Sequence, residues 1–284
     1  MDEIASKTQI NLISDIVLNR PPALREFDQI YMKVGDMLDQ LLFVSPNFDG
    51  KRTVFIGDGD GVGLAMIHLN HNGALPLGPT EIVVLDFDER IVNSINTFAE
   101  EHGLSDRIKA ELYNVADPLP KAHWQRFDAF YTNPPYGEHN DGKSVLAFVK
   151  RGMEAVKPGT GLGCVVIGDD KDYCWTQEVL FTTQKMLIEG GYLIKSFQPE
   201  FSQYHLDDAP KLRSGSFFAS GIHSKQSEYK SRILSEKSIK NFYGRRKALA
   251  VRYVREESCP YPAQGNYFLE NYDWNQMKIK YPNE

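Results

Sequence analysis

Apolar residues recur along the chain with two different spacings, and the spacing changes near residue 50. Residues 4–18 predict a short helix, which Pro21 and Pro22 end because proline lacks the N–H that a helix interior needs. Next, Ile30, Val34, Met37, Leu38, Leu41 and Leu42 fall on one face at helical spacing, and the turn-rich stretch SPNFDGK predicts the stop. Beyond it, short apolar runs alternate with helical patterns. RTVFIG, EIVVLDF, RIKAELYNV, FDAFYTN, LGCVVIGDD and YLIKSFQ read as strands, RIKAELYNV the weakest, and SGSFFASG is a candidate for one more. Helical patterns cover 62–70, the stretch of Ile91, Ile95, Phe98 and Ala99 closed by Gly103, then 144–156 and 175–189. Alternation of this kind predicts an α/β fold, a mostly parallel sheet flanked by helices on both faces. Ligands in such sheets sit beyond the carboxyl ends of the strands, so the residues just after each strand carry the candidate chemistry. The chain divides into an N-terminal helical segment (1–50), a Rossmann-like domain (51–223) and a basic C-terminal appendage (224–284).

Composition narrows the partners. The net charge is −6, which disfavours nucleic acid in bulk terms and allows a cationic ligand. Residues 224–255 run against that balance, with ten Lys or Arg and two Glu. They read either as a solvated helical appendage or as a contact for anions, nucleic acid or a subunit. Three cysteines, Cys164, Cys174 and Cys259, form no C-x-x-C pair, so neither a disulfide framework nor a zinc site is indicated and a reducing cytoplasm fits. The first residues lack the basic start and apolar run of a secretory leader, and no stretch approaches 18 apolar residues. His68 and His71 lie three apart on a predicted helix with no third ligand near in sequence, so no metal is expected.

The strand ends carry acids. After the first strand come Gly57, Asp58, Gly59, Asp60, Gly61 and Gly63. The glycines allow close backbone approach to a ligand, but two carboxylates and no G-K-[ST] exclude a phosphate-cradling P-loop. After the second comes Asp86, 23 residues beyond Gly63, the separation expected of an acid that binds ribose hydroxyls. Asp88 and Glu89 suit the N-terminus of the next helix. Asp117 either reaches a purine amino group or makes the turn before Pro118. After the fourth strand comes Asn133-Pro134-Pro135-Tyr136, the most specific stretch of the chain. Its amide oxygen and the first proline carbonyl suit an amine's N–H groups, the prolines hold them rigid, and the Tyr ring offers a face to a flat or cationic group. Asp169, Asp170 and Asp172 follow the fifth strand, and Tyr204, Asp207 and Asp208 come later; each is otherwise a solvated loop residue. A cleft of one sign concentrates the opposite charge, so this set points to a polycationic ligand.

The order of glycine loop, acid after strand two and Asn-Pro-Pro-Tyr after strand four resembles the class I S-adenosylmethionine-dependent methyltransferase fold. More narrowly, FDQIYMKVGDMLDQLL, VFIGDGDGV, LDFDERIVNSINTFAEEHGL, YNVADPLP and TNPPYG resemble the branched-chain polyamine synthases, the N4-bis(aminopropyl)spermidine synthases. The resemblance implies an aminopropyltransferase that uses decarboxylated S-adenosylmethionine, without a metal, on a polyamine such as spermidine; a homodimer is allowed. It implies that Asp60, Asn133 and Tyr136 are catalytic, with Asp60 orienting the acceptor amine and taking its proton. Gly57, Asp58, Gly59, Gly61, Asp86 and Asp117 would hold the donor, and Pro134, Pro135, Asp169, Asp170 and Tyr204 the acceptor. The family's loop reads Gly-Asp-Asp-Asp where this chain has Gly59 in the middle, and its Asp-Pro-Pro is Asn133-Pro134-Pro135 here. The family's N-terminal winged-helix domain has no room in the roughly 50 residues before the glycine loop. Two other readings stay open. One is an S-adenosylmethionine-dependent N-methyltransferase acting on a small molecule, protein or nucleic acid, with 224–255 holding phosphates. The other is a non-catalytic binding protein on the same fold.

Overall fold

Seven strands build one sheet in a computed structural model that describes residues 3–205, 212–222, 230–257 and 267–281. In chain order they are β1 (Arg52–Ile56), β2 (Glu81–Asp86), β3 (Ile108–Leu112), β4 (Ala129–Thr132), β5 (Leu162–Gly168), β6 (Tyr192–Gln203) and β7 (Arg213–Gly221). Their order across the sheet is β3-β2-β1-β4-β5-β7-β6, with β7 antiparallel to both of its neighbours and the other pairs parallel. The helices are α1 (Glu3–Asn19), α2 (Val34–Phe48), α3 (Val62–His71), α4 (Glu89–Glu101), α5 (Lys143–Ala155) and α6 (Cys174–Glu189). This is the class I methyltransferase-like arrangement of a Rossmann-like fold.

The period-2 alternation of β1 makes two cores. Phe55 faces a layer with α1, α2, α3 and α4, while Val54 and Ile56 face a layer with α5 and α6. Burial on both faces explains why the central strands are near-continuous apolar runs. Strand order reverses at β1 and β4, since the chain leaves β1 toward β2 and later returns on the other side. The loops after those two strands therefore face each other at the switch point, the usual ligand crevice.

Three elements differ from the sequence pattern. The second helix begins at Val34 rather than near Ile30, and it runs through Pro46 to Phe48, whose fully buried ring holds the last turn against the core. Ile30 instead belongs to a strap, residues 20–33, that contains a 3-10 turn at Arg25–Phe27 and crosses the carboxyl end of the sheet. The C-terminal segment is not a helical appendage. It holds a short α7 (Glu236–Ile239), an antiparallel hairpin of β8 (Val251–Glu256) and β9 (Tyr267–Asn271), and a closing α8 (Trp274–Lys280). VRYVRE is rich in β-branched and aromatic residues, which favour a pleated surface, and Val254 is fully buried. Asn114 Nδ2 donates to the carbonyls of Val251 and Arg252, and Val254 forms a bridge to Asp88, so the hairpin is fastened to the loops after β2 and β3. Its cations are paired as well, Arg252 with Asp117 and Arg255 with Glu89 and Glu270.

Candidate active site

A cavity of about 250 Å³ opens beyond the carboxyl ends of β1, β2 and β4. Gly57, Gly59 and Asp60 from the first loop, Asp86 and Phe87 from the second, and Asn133 to Tyr136 from the fourth form its wall. Gly57 sits at φ +75°, and a Cβ at Gly59 would come within 3.3 Å of the Tyr31 ring, so both positions depend on the missing side chain. Among the described residues, four carboxylates line the cavity, Asp28, Asp60, Asp86 and Glu138, against one guanidinium, Arg25.

Asp60 is held from two sides. Its Oδ1 accepts from the backbone N–H of Met32 at 2.6 Å, and its Oδ2 accepts from Asn133 Nδ2 at 2.7 Å. Arg20 reaches the Asp60 carbonyl at 3.0 Å and lies over the Tyr31 ring, which brings a positive charge beside the loop. Burial raises the Asp60 pKa; the Met32 and Asn133 hydrogen bonds and the Arg20 charge oppose that shift without cancelling it. The other end of the Asn133 amide faces hydroxyls. Oδ1 accepts from Tyr136 at 3.3 Å and Tyr204 at 3.4 Å, Tyr136 donates to Tyr204 at 2.9 Å, and Tyr204 meets Ser214 at 2.9 Å. Met32 and Tyr204 also form an antiparallel bridge, so the strap closes directly on this network.

Asp86 marks the other end. Its Oδ2 accepts from Asp58 N at 3.1 Å and its Oδ1 from Asp88 N at 3.0 Å, which aims the carboxylate into the cavity while each oxygen keeps a further lone pair. Burial pushes its pKa up to about 7. Phe87, Ile91, Asn114, Val115 and Phe148 continue the wall around it. A carboxylate followed by apolar and aromatic surface suits a ribose and a purine.

Other candidate residues lie elsewhere. Asp58 does not line the cavity; its two oxygens accept from Val62 and Gly63 at 2.9 Å, capping α3 at the first turn. Gly61 sits at φ +74° before that helix and packs toward Ile16. Asp117 lies outside the cavity lining, bound by the Tyr272 hydroxyl and by Arg252 at 3.2 Å. Asp169 accepts from Gln177 and from Glu200 N, and Asp170 from Asp172 N and Arg213 N, so both tie β5 to the β6–β7 pair instead of facing the cavity. Asp207 and Asp208 lie outside the described residues. Asp88 does cap α4, accepting from Arg90 N, and it also holds Gln29 of the strap. Among the described residues, no three His, Cys, Asp or Glu side chains gather as a metal site, and no helix is long and apolar enough to cross a membrane.

The lining also includes residues that strand-end reasoning passes over. Five consecutive strap positions from Phe27 to Tyr31, with Arg25, and Tyr173, Trp175 and Tyr243 all lie away from the strand ends. A signal exists for five of them: Phe27 to Tyr31 lie in FDQIYMK, a stretch that carries the family resemblance.

Sheet order and the switch-point crevice define the class I methyltransferase-like fold, with an acid-lined cavity where that fold holds its ligands. Residues 9–255 match the family model of the branched-chain polyamine synthase A C-terminal domain, and the chain belongs to that family. It is 30% identical over 187 residues to an N(4)-bis(aminopropyl)spermidine synthase of Thermus thermophilus, covering 65% of this chain and 50% of that one. The chain spans half or less of the length of the curated synthases it matches. In structure it resembles the branched-chain polyamine synthase of Thermus thermophilus solved with N4-aminopropylspermidine and 5′-methylthioadenosine. The TM-score is 0.65 at 23% identity, covering 81% of this chain and 67% of that one. A putative RNA methyltransferase of Pyrococcus horikoshii shares the fold, with a TM-score of 0.54 at 15% identity over 76% of this chain and 99% of that one.

Proposed function

We propose that the chain transfers the aminopropyl group of decarboxylated S-adenosylmethionine to an amine of a polyamine such as spermidine, in branched-polyamine synthesis. The observation that supports this most directly is the buried Asp60 carboxylate, held in place by Met32 and Asn133 on the wall of an acid-lined cavity. Both substrates are cations. The decarboxylated donor carries a sulfonium and an ammonium and has no carboxylate to repel Asp60. Its nucleoside would lie along Asp86 and Phe87, and the acceptor would enter at the Asp60, Asn133, Tyr136 and Tyr204 end.

The chemistry needs a proton acceptor. The acceptor nitrogen attacks the carbon beside sulfur, the N–C bond forms as the C–S bond breaks, and the bonding pair stays on sulfur to leave neutral 5′-methylthioadenosine. A protonated amine has no lone pair, so its proton must leave, and Asp60 is the lining carboxylate placed to take it. A carboxylate whose pKa burial has raised holds that proton better than an ordinary one. Asn133, Tyr136 and Tyr204 fix the Asp60 geometry and shape the acceptor end.

The second reading is N-methyl transfer from intact S-adenosylmethionine, which the Asn133-Pro134-Pro135-Tyr136 loop on the wall favours. The Asn133 orientation speaks against it, because the amide oxygen that would accept from a target amine faces Tyr136 and Tyr204 instead. Calorimetry with the two donors separates the readings. Tighter binding of the decarboxylated donor, with spermidine gaining one aminopropyl mass on incubation, is the expected result; tighter binding of the intact donor would overturn it. A cytoplasmic setting is part of the proposal, supported by the free thiols of Cys164 and Cys174, and so is a homodimer, which light scattering tests.

A further inference from the structure

Two segments outside the Rossmann core meet over the Asp86 end of the cavity. The strap brings Phe27, the C-terminal segment brings Tyr243, and both rings close on Phe87, the residue that follows Asp86. Phe27 stands edge-on to Phe87, with centroids 5.6 Å apart, and edge-on to Tyr243 at 5.4 Å. Tyr243 lies nearly parallel to Phe87 at 6.2 Å. All three line the cavity. Burial, with the carboxylates of Asp86 and Asp28, raises the Tyr243 phenol above its ordinary range.

Tyr243 is also rigidly placed. Its neighbour Phe242 is buried among the α5 side of the core, stacks on Phe148, and accepts through its carbonyl from Ser144 Oγ at 2.7 Å. On the other side, Asn114, itself a lining residue, holds the start of β8 through the Val251 and Arg252 carbonyls. The segment that carries the ring is thus fastened to α5 at Phe242 and to the loop after β3 at Val251 and Arg252. Around the joint, Phe27, Val251 and Val254 form a small apolar cluster separate from the two main cores.

We propose that Tyr243 is a donor-binding residue whose ring covers the nucleoside of an adenine-nucleoside sulfonium or thioether at the Asp86 end. The C-terminal segment then supplies one wall of the donor site. A ribose held at Asp86 directs its base past Phe87, against the cavity side of this aromatic joint. An aromatic face packs on any purine and excludes water from the carboxylate–ribose contact. A nucleoside packed against this joint would shield both of the segments that form it, so binding should slow exchange in each. This inference rests on the proposed reading of the cavity as an aminopropyl-donor site.

Calorimetry on the full chain with 5′-methylthioadenosine tests it. The wild-type protein should bind; if it does not, the nucleoside reading of the cavity fails, and this inference with it. With wild-type binding established, Tyr243→Ala should weaken 5′-methylthioadenosine tenfold or more and change spermidine affinity by less than twofold. Tyr243→Phe, which keeps the ring, should stay within threefold. Wild-type affinity in Tyr243→Ala would overturn the role of Tyr243 and leave the cavity reading intact. Hydrogen exchange on the wild-type chain decides the matter if the Ala variant fails to fold. Added 5′-methylthioadenosine should slow exchange in both 24–31 and 241–254, and unchanged exchange in 241–254 would overturn the inference.

Discussion

The side-chain amide of Asn133 turns its nitrogen toward Asp60: Nδ2 donates to Oδ2 across 2.7 Å, while Oδ1 faces the hydroxyls of Tyr136 and Tyr204. An ionised carboxylate only accepts hydrogen bonds, so the nitrogen is the compatible end, and the oxygen faces the linked Tyr136 and Tyr204 hydroxyls. Asn133 thereby serves Asp60 before it serves any substrate. Met32 N–H completes the hold from the strap, so both oxygens of the proposed base are oriented by groups from opposite sides of the cavity.

Replacement of Asp60 by Asn keeps the shape and removes the proton acceptor. Turnover should fall by roughly two to four orders of magnitude, the usual worth of a general base, while affinity for 5′-methylthioadenosine stays within a few-fold. Because Asp60 acts ionised and burial raises its pKa, the wild-type rate should fall on acidification at a pH above the ordinary carboxylate range, whose reference is 3.8. The Asn variant should lose that limb. A pH profile of kcat/KM for both proteins checks the point, and a near-normal rate in the variant would remove Asp60 from the proton step.

Asn133→Ala should act through Asp60. The lost N–H is one of the groups that lower the Asp60 pKa, so the acid limb should move to higher pH. A charge-assisted hydrogen bond is worth roughly 1.5–3 kcal/mol, so kcat at neutral pH should drop by roughly ten- to a hundredfold with KM for the donor little changed. A drop with no movement of the limb would mean that Asn133 contacts substrate directly, as N-methyl transfer would require.

At the proposed donor site, Asp86 should couple nucleoside binding to protons. Ribose hydroxyls donate to an ionised carboxylate, and burial holds this one at about 7 in the ligand-free protein. Below that pH the group must lose a proton on binding, so the 5′-methylthioadenosine Kd should weaken toward tenfold per pH unit below about 7 and level off above it. Binding enthalpy at pH 6 should vary with the ionisation enthalpy of the buffer, which reports the released proton. The same shift has a stability consequence. A pKa raised on folding favours the protonated folded state, so this contribution is full below about 3.8 and is lost as pH rises through about 7. The loss is at most roughly 4 kcal/mol, and thermal melts of the ligand-free protein from pH 5 to 8 should decline accordingly.

The sheet, the switch-point crevice and the placing of Asp60, Asp86 and Asn133 on one wall were legible because they follow from strand periodicity and the strand-end rule. What the pattern could not tell was which acids a fold uses on itself. Asp58, Asp169 and Asp170 look like Asp60 in sequence, yet their oxygens are taken up by backbone N–H groups and Gln177. Asp117 is matched by Tyr272 and Arg252, partners more than a hundred residues away. The acidic character of the cavity survives through Asp28 and Glu138, which no strand end marks. Phe27 lies in a stretch that carries the family resemblance, but its place on the wall, like that of Tyr243, escaped for the same reason as the partners of Asp117. The strap and the C-terminal segment dock by tertiary packing, which local periodicity does not encode, and charge counting made the C-terminal segment look solvated when Arg252 and Arg255 are paired.

How firmly the C-terminal segment is joined can be measured at Arg151. This guanidinium is fully buried and satisfied: Nε donates to the Val115 carbonyl at 3.0 Å, Nη1 to Glu154 at 2.8 Å and to Ser231 Oγ, and Nη2 to the Arg232 carbonyl at 2.7 Å. It therefore ties α5, the loop after β3 and the start of the C-terminal segment into one polar cluster. Arg151→Met strands a buried Glu154 carboxylate and should cost about 3–5 kcal/mol in urea unfolding, since an uncompensated buried charge is the expensive product of breaking such a pair. Replacing both residues, Arg151→Met with Glu154→Leu, removes the stranded charge and should recover most of that loss, leaving the cost of the freed Val115 and Arg232 carbonyls. If the single and double variants unfold at the same urea concentration, the ion pair contributes nothing of its own, and the segment is held by its other ties, among them Asn114, Asp117, Ser144 and Glu89, and by apolar packing.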